Sequence, residues 1–519
     1  MAKVAQNIED ALIVPEKEFD ICIVGSGPAA AFAAYELGQS GSVSVAVIED
    51  GSDAIDMNPD HFIDRRDQTI EGKVDLGFSR QVGGASNLWA GGLAKYYQID
   101  FLPREHFDLP GWPIEFDELS RYYQRVDAYV GVLGGEHSIH ASSPPESNSE
   151  LGEDFDAREM KVLHKPFNTK KLVVDVPGIS LFKQCTAVRL VFKSSTPDEI
   201  DYLEIFDQTN KRVKKIRSQV FVIGAGTVSN VRLLLHSLSQ RSASSSVLCQ
   251  DNIGRYISTH PKADIGTLIL FSPLDESHSL VGRFRENSHV LRYQFGLSLN
   301  LLLSHQLLNH CIRFDSKLVN RAASTFDKVA QSFDLIPFFG RHSDFLSKVV
   351  VETGVHIFRV LETIRHFGPV KGSLSVRGFF DQKPNRDNRI TLSDNALEDG
   401  LPLGKIHWTF TEEDWENVDR FMQVCSDELR INGVGELHYQ RPSLDEFTSV
   451  HSHFIGGTRM GVDPSNSVVD KNLKVHGVDN LYVSGPSVFP SYGYANPFYT
   501  ISALSIRLGD HLKAQVDTL

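Results

Sequence analysis

Residues 19–30 read FDICIVGSGPAA, six mostly apolar residues followed by six small ones. The first half is an apolar run typical of a buried parallel strand, and the run is interrupted at Gly25. Gly27 removes a side chain where a phosphate would approach, and Ala30 is small enough for the next helix to pack on the strand. We expect that helix over Ala29–Leu37, with its N-terminal amides directed at a pyrophosphate.

A second strand is predicted over Val43–Ile48, followed by Glu49. This acid stands about 20 residues after the glycines, the usual distance for a carboxylate that holds a ribose hydroxyl. It disfavours the 2′-phosphate of NADP and leaves FAD and NAD as candidates. A glycine-rich turn in another kind of α/β protein is the alternative. The pattern therefore predicts an α/β protein with a dinucleotide-binding domain.

The composition sets broad limits. With 519 residues the chain has room for two domains. A formal net charge of −14 argues against a nucleic-acid partner. The cysteines are odd in number and far apart, which indicates neither a disulfide framework nor a zinc site, and no metal is expected. They are Cys22, Cys185, Cys249, Cys311 and Cys425.

The N-terminal segment Met1–Glu18 is polar and lacks the apolar core of a signal peptide. No uninterrupted apolar run approaches a membrane-spanning length. We therefore expect a cytoplasmic protein without a transmembrane segment. The sequence leaves the oligomeric state open.

Two further glycine-rich stretches follow. Gln81–Gly92 contains four glycines, which indicates backbone lying tight against a ligand, although a loop built from turns is the alternative. Val220–Thr227 repeats the order of apolar strand, Gly-x-Gly and helix. No acid-tipped strand follows it at the right distance, so we interpret it as a return to the first sheet. A contact with the adenosine end of a cofactor stays open there.

The character of the chain changes at about residue 262. The region resembles a substrate-type insertion, with strands, long amphipathic stretches and a helix in which apolar residues recur at helical spacing. For Phe338–His366 we prefer a core-facing helix over a basic surface that touches a membrane or an apolar substrate. The elements predicted outside the first motif are helices 116–130, 228–238, 412–432 and 501–512, strands 172–176, 181–190, 200–206, 263–270, 373–380 and 389–392, and amphipathic stretches 299–333 and 345–366.

The C-terminal part carries the candidate chemistry. Val450–Gly461 places His451 and His453 beside another glycine turn. Farther on, Asn496 is a plausible cap and Pro497 suits the first turn of the last helix. Amides at the start of that helix favour an anionic or electron-rich group.

In these motifs the chain resembles the glucose-methanol-choline (GMC) family, FAD enzymes that oxidise alcohols. The closing block is the most specific part, because its motifs match in order and spacing. It looks closest to the pyranose oxidase, cholesterol oxidase and bacterial sugar dehydrogenase branches, which pair a histidine with Asn-Pro, whereas the glucose oxidase branch has a second histidine there. The matching stretches are Gly25–Ala30 with Glu49, Gly83–Trp89, Val222–Leu235, Gln382–Leu392, Gly456–Gly461, Val468–Asp470, Val475–Tyr482 and Ala495–Pro497.

The resemblance implies a Rossmann-type FAD domain with an inserted substrate domain built on an antiparallel sheet with flanking helices. The FAD domain would comprise residues 15–261 and 447–519, with a helical and loop excursion at about 111–176, and the substrate domain residues 262–446. FAD contacts are implied for Gly25, Gly27, Pro28, Ala29, Ala30, Glu49, Gly83, Gly84, Ser86, Asn87, Leu88, Trp89, Ala90, Val188, Ala225, Gly226, Gly485, Asn496, Pro497 and Phe498.

His453 matches the family's catalytic histidine, six positions before the arginine of Arg-Met-Gly, and Asn496 matches its asparagine partner. A neutral imidazole would accept the alcohol proton as hydride leaves for the flavin N5, while the amide holds the same oxygen. His451 is the rival base. Gln382 is a candidate substrate contact, with a structural hydrogen-bonding role as the alternative. Leu88 stands where some members attach FAD covalently through a histidine, so we expect dissociable FAD.

The resulting function is oxidation of a CH–OH group of a sugar or polyol-like alcohol by an FAD-dependent oxidase or dehydrogenase. The electron acceptor, O2 or another oxidant, is not readable from the sequence. A sterol-like or other apolar alcohol is the alternative substrate. A lyase that keeps FAD as a scaffold and a non-catalytic FAD-binding protein are the alternative functions.

Overall fold

The computed structural model describes residues 18–66, 69–70, 79–132, 151, 153–239, 250–259, 261–275, 278–281, 283–315, 370–447 and 453–516. The helices in these ranges are α1 (Pro28–Gly38), α2 (Gln98–Phe101), α3 (Phe116–Val130), α4 (Thr227–Leu238), α5 (Leu299–Ser304), α6 (Glu412–Ile431) and α7 (Phe498–Val516). The strands are β1 (Phe19–Val24), β2 (Val45–Ile48), β3 (Thr69–Ile70), β4 (Gly92–Ala94), β5 (Phe155–Leu163), β6 (Ile179–Phe182), β7 (Cys185–Phe192), β8 (Ile200–Asp207), β9 (Arg212–Ile223), β10 (Lys262–Leu270), β11 (Phe284–Arg285), β12 (His289–Leu297), β13 (Cys311–Asp315), β14 (Ser373–Phe379), β15 (Arg389–Ala396), β16 (Pro402–Trp408), β17 (Gly435–Tyr439) and β18 (Leu481–Val483).

The first sheet has the strand order β6-β2-β1-β9-β8-β7, with β18 also beside β9. β1 lies between β2 and β9 and pairs in parallel with both. Ile21, Cys22 and Ile23 are fully buried, as expected for a parallel strand covered on both faces. β9 brings the chain back to this sheet, which confirms our interpretation of Val220–Thr227. The mixed α/β fold is also confirmed.

The second sheet is antiparallel and has the order β17-β10-β14-β13-β12-β5-β4, with β11 beside β12. Most of its strands come from the predicted substrate insertion. β4 and β5, however, precede that insertion, and β5 pairs with β12 along its whole length. The N-terminal excursion therefore contributes strands to the second sheet. The domain boundaries themselves stay a prediction.

Several predicted elements differ from the structure. Residues 172–176 do not form a strand, because the chain there follows a 3₁₀ turn over Thr169–Leu172. The strand predicted over 181–190 is two strands, β6 and β7, separated at Gln184, whose φ is +54°. The amphipathic stretch from Leu299 begins as the short α5 and continues into β13. Its remainder and Phe338–His366 lie outside the described residues.

The two long helices predicted at 116–130 and 412–432 are confirmed as α3 and α6. Thr411 caps α6 through a hydrogen bond from Asp414 N, and Asp414 bonds back to the Thr411 amide. Among the helices that the described ranges contain, we find none that is long and apolar enough to cross a membrane.

Candidate functional site

A turn without side chains joins β1 to α1. Gly25 has a φ of +99°, and a Cβ at this position would lie 2.6 Å from the Gly224 carbonyl oxygen. Gly27 faces Gly84, whose φ is +51° and whose added Cβ would lie 3.0 Å from Gly27 Cα. The two glycine-rich stretches therefore meet at the start of α1. A backbone cradle at a helix N-terminus suits a pyrophosphate.

Glu49 follows β2 and is 6% exposed. One carboxylate oxygen accepts from Ser26 N at 3.1 Å and from Ser26 Oγ at 2.6 Å, and the other accepts from Gly51 N at 2.8 Å. Burial raises the pKa of Glu49 to about 7, although these hydrogen bonds lower it in part. A carboxylate at this end of β2 is the acceptor that a ribose hydroxyl requires.

Polar contacts hold the loop after Val82 against the turn that joins β1 to α1. Gly83 N donates to Ser26 Oγ at 2.9 Å, and Ser86 Oγ donates to Gly83 O at 2.6 Å. Asn87 Nδ2 donates to Gly84 O at 2.8 Å. Sequence reasoning missed Ser26 as the residue that connects this loop to Glu49, since nothing in a serine between two glycines predicts its partners.

Trp89 connects the same loop to the last helix. Its ring stacks on Phe498, the first residue of α7, with ring centroids 3.8 Å apart and planes 19° apart. Its Nε1 donates to Phe167 O at 2.8 Å. Two of the predicted cofactor contacts, Trp89 and Phe498, are thus brought together. The neighbouring Leu88 carries an aliphatic side chain and no nucleophile.

The second Gly-x-Gly turn and the strand β18 complete the cradle. Ala225 N donates to Asn230 Oδ1 at 2.8 Å, and Asn230 Nδ2 donates to Ser484 O at 2.9 Å. Gly485 has a φ of +112°, and a Cβ there would lie 2.9 Å from Ala29 Cβ. Close approach of three chain segments therefore requires the glycine. Val188 lies farther along the sheet, at a bulge of β7.

His453 is the predicted base, and its side chain is partly accessible while the residues after it are buried. Burial lowers the pKa of His453 to about 3, and the positive charge of Lys262 adds to the effect. The imidazole is therefore neutral at physiological pH. Its rival His451 lies outside the described residues.

The segment after His453 is fixed by two contacts. Thr227 Oγ1, at the start of α4, donates to Phe454 O at 2.6 Å. Ile455 and Ser258 exchange backbone hydrogen bonds of 2.9 Å in both directions. The predicted base is thus tied to the second Gly-x-Gly turn.

Asn496 is also partly accessible, between the buried Ala495 and Pro497. Its Nδ2 lies near the start of β4, since a Cβ on Gly92 would be 3.5 Å away from it. Pro497 O accepts from Ile501 N at 2.8 Å, the first helical bond of α7. The amide therefore sits at the positive end of a helix.

Gln382 is 1% exposed and its amide has four protein partners. Oε1 accepts from Ser258 Oγ at 2.6 Å and from Trp408 Nε1 at 2.9 Å. Nε2 donates to Thr409 O at 2.7 Å and to Asp414 Oδ2 at 3.1 Å. These bonds disfavour the predicted substrate contact and favour the structural alternative. Within the described ranges no group of three or more His, Cys, Asp or Glu side chains is arranged to hold a metal ion.

Residues 384–505 match the family model described as GMC oxidoreductase. The chain is 24% identical to 6'''-hydroxyparomomycin C oxidase of Streptomyces lividus, over 96% of this chain and 93% of that protein. It is 23% identical to 2-methyl-1,2-propanediol dehydrogenase of Mycolicibacterium austroafricanum, over 95% of each chain.

The fold is similar to that of an FAD-dependent oxidoreductase from Chaetomium thermophilum. The TM-score is 0.54 at 15% sequence identity, covering 96% of this chain and 100% of that chain. The likeness therefore extends over nearly the whole chain, and not only over the dinucleotide-binding motif.

Proposed function

We propose that this chain is an FAD-dependent alcohol oxidoreductase of the GMC family that oxidises a CH–OH group of a sugar or polyol to the carbonyl, with His453 as the base. The observation that carries the proposal is a partly accessible imidazole kept neutral by its surroundings. Bound FAD supplies the hydride acceptor.

His453 accepts the hydroxyl proton of the substrate on a ring nitrogen. A neutral imidazole has a free lone pair for this purpose, whereas an imidazolium has none. The low pKa, which burial and the charge of Lys262 produce, keeps this lone pair available before the step. The buried segment from Phe454 onward limits access of water from that side.

Asn496 supports the same step from the last helix. Its Nδ2 donates a hydrogen bond to the substrate oxygen as negative charge develops there. The positive end of α7 favours that negative charge. Turnover would also require an electron acceptor, O2 or another oxidant.

A sugar or polyol is favoured by the relatives. One is named for a hydroxyparomomycin and the other for a propanediol, so each of these named compounds carries more than one hydroxyl group. The neutral base and amide donor act on any CH–OH group. Discrimination among alcohols therefore rests with the walls of the site.

The experiment is anaerobic mixing of the holoenzyme with a panel of sugars, polyols and sterols while the flavin absorbance is followed. We expect bleaching with at least one sugar or polyol. His453→Ala should lower the rate of flavin reduction by roughly 10²–10⁴-fold. His438→Ala is the matched control, because His438 is an exposed histidine of β17.

Each outcome decides one point. Bleaching only by sterols would overturn the substrate class. An unchanged flavin with every alcohol would leave the lyase and the non-catalytic protein as explanations. Equal rates for His453→Ala and His438→Ala would show that His453 is not the base.

A further inference from the structure

Two consecutive residues, Asp381 and Gln382, each bind one of the two segments that carry the proposed catalytic pair. We propose that they are positioning residues that set His453 and Asn496 relative to each other. This inference rests on the proposed function and deepens it.

Asp381 holds the loop before Asn496. Its Oδ1 accepts from Gly493 N at 3.0 Å and from Gln382 N at 2.8 Å, and its Oδ2 accepts from Asn309 N at 3.2 Å. Gly493 is three residues before Asn496. Three backbone donors on one buried carboxylate fix the orientation of its plane.

A second buried carboxylate, that of Asp100, lies against the same loop. Asp100 Oδ1 would lie 2.8 Å from a Cβ on Gly493, whose φ is +61°. Asn309 Nδ2 donates to this oxygen at 2.7 Å. Arg104 Nη2 lies 3.9 Å from Asp381 Oδ2 and supplies positive charge. The Gly493 backbone therefore has little freedom to move.

Gln382 holds the segment of the proposed base. Its Oε1 accepts from Ser258 Oγ at 2.6 Å, and Ser258 pairs through its backbone with Ile455. Ile455 is two residues after His453. The side chains of Asp381, Gln382 and Ser258 are all almost completely buried, so water does not compete for these bonds.

Asp381 and Gln382 are adjacent in the chain, so the contact of one with Gly493 and that of the other with Ser258 are linked. A shift of the chain at Asp381 moves Gln382 with it, because one peptide bond joins them. The positions of the His453 and Asn496 segments thus both depend on the position of this one dipeptide. Hydride transfer depends on the relative placement of these two side chains, since small misplacements of reacting groups lower the rate strongly.

The test uses the holoenzyme and the sugar or polyol that reduces its flavin fastest, under anaerobic conditions. The limiting rate of flavin reduction and the substrate Kd are measured for Asp381→Asn, Ser258→Ala and Asn496→Ala, and for each of the first two combined with Asn496→Ala. Asp64→Asn is the control, because Asp64 is another buried carboxylate that bonds to Ser393 and Asn395. FAD content and Tm are recorded for every variant.

We expect Asp381→Asn to lower the limiting rate about 10-fold or more and Ser258→Ala to lower it about 3- to 10-fold, with the substrate Kd nearly unchanged. Asp64→Asn lowers Tm without this loss. In the Asn496→Ala background, Asp381→Asn has a smaller effect, because the part that acts through Asn496 is already lost, whereas Ser258→Ala keeps its full effect.

Amide hydrogen exchange provides a readout independent of turnover. Asp381→Asn should speed exchange at Gly493, Ser258→Ala should speed it at Ile455, and Asp64→Asn should change neither. Ser258→Ala is a small change that keeps the test possible if Asp381→Asn does not fold.

The inference is overturned if Asp381→Asn and Ser258→Ala both leave the limiting rate and the amide exchange unchanged. It is also overturned if Asp381→Asn lowers the rate equally with and without Asn496. If Asn496→Ala itself leaves the rate unchanged, the proposed role of Asn496 fails, and its positioning with it. A loss with Asn496→Ala but none with Asp381→Asn refutes the positioning role alone.

Discussion

Glu49 is a buried carboxylate, and we propose that it accepts a hydrogen bond from the ribose of bound FAD. Because burial raises its pKa to about 7, lowering the pH below 7 protonates the carboxyl group and removes an acceptor for the ribose hydroxyl. We expect the affinity of apoprotein for FAD to fall as pH is lowered from 8 to 6, by up to about tenfold per pH unit. Fluorescence titration with FAD measures this.

Glu49→Gln should bind FAD more weakly and without that pH dependence. Glu36→Gln is the control, because Glu36 is a carboxylate on the far end of α1 that pairs with Arg125. An identical pH slope in wild type and Glu49→Gln would assign the effect to another group.

His453 gives the opposite kind of pH prediction. A free imidazole with a pKa near 6.5 would lose roughly 30-fold of its base form on going to pH 5. Since the pKa of His453 is lowered to about 3, the limiting rate of flavin reduction should stay level between pH 8 and pH 5. Rapid mixing at several pH values checks this. A decline centred near pH 6.5 would contradict a base that its surroundings keep neutral.

Lys262 contributes to that low pKa through its positive charge. Removing the charge in Lys262→Met should therefore raise the pKa of His453 and move any acidic decline of the rate upward in pH. Lys513→Met, on α7, is the control and should leave the profile unchanged. An unaltered profile in Lys262→Met would leave burial as the sole cause.

At the level of elements, α1 and α7 pack through small residues. Ser505 Oγ donates to Ala29 O at 3.0 Å and accepts from Ala33 N at 3.0 Å. A Cβ on Gly509 would lie 2.8 Å from Glu36 Cβ. This close packing sets the distance between the turn that joins β1 to α1 and Phe498, the first residue of α7.

Gly509→Val should therefore destabilise the holoenzyme by about 1–3 kcal/mol, because the added methyl groups force the helices apart. FAD affinity should fall as well, since the two helix starts separate. Ala514→Val is the matched control, with the same new side chain at an exposed position of α7. Urea denaturation and FAD titration measure both effects. Equal stability of the two variants would show that the α1–α7 contact adapts without cost.

Local sequence patterns predicted the elements that contain capping residues or apolar residues at a regular spacing. α6 has an acidic capping box and apolar residues at helical spacing, and its bounds follow from those features. The apolar run near Leu299 has no such features, because a short buried strand and a helix look alike in sequence, and β13 was missed. The contact between Asp381 and Gly493 joins positions 112 residues apart, and no local pattern encodes it.

On the scale of the whole molecule, the predicted cofactor residues come from both ends of the chain. The turn at Gly27 meets Gly84, and Ala29 meets Gly485, although more than 450 residues separate the last two. The sequence motifs singled out these pieces as predicted cofactor contacts, but their mutual distances depend on pairing of β1, β9 and β18 in the first sheet. We therefore propose that binding of FAD couples segments that lie far apart in the sequence.

This coupling leads to a prediction for the intact protein. We propose that FAD is held without a covalent bond, because Leu88 offers no nucleophile. Free FAD at 100 times its Kd should then stabilise the folded chain by about 2.7 kcal/mol, and Tm should rise with FAD concentration. Acid precipitation should leave a colourless pellet and a yellow supernatant. The Glu49→Gln variant should need more FAD for the same rise in Tm, since it lacks the ribose acceptor. A yellow pellet together with a Tm that does not respond to FAD would establish a covalent flavin and would place its attachment at a residue other than Leu88.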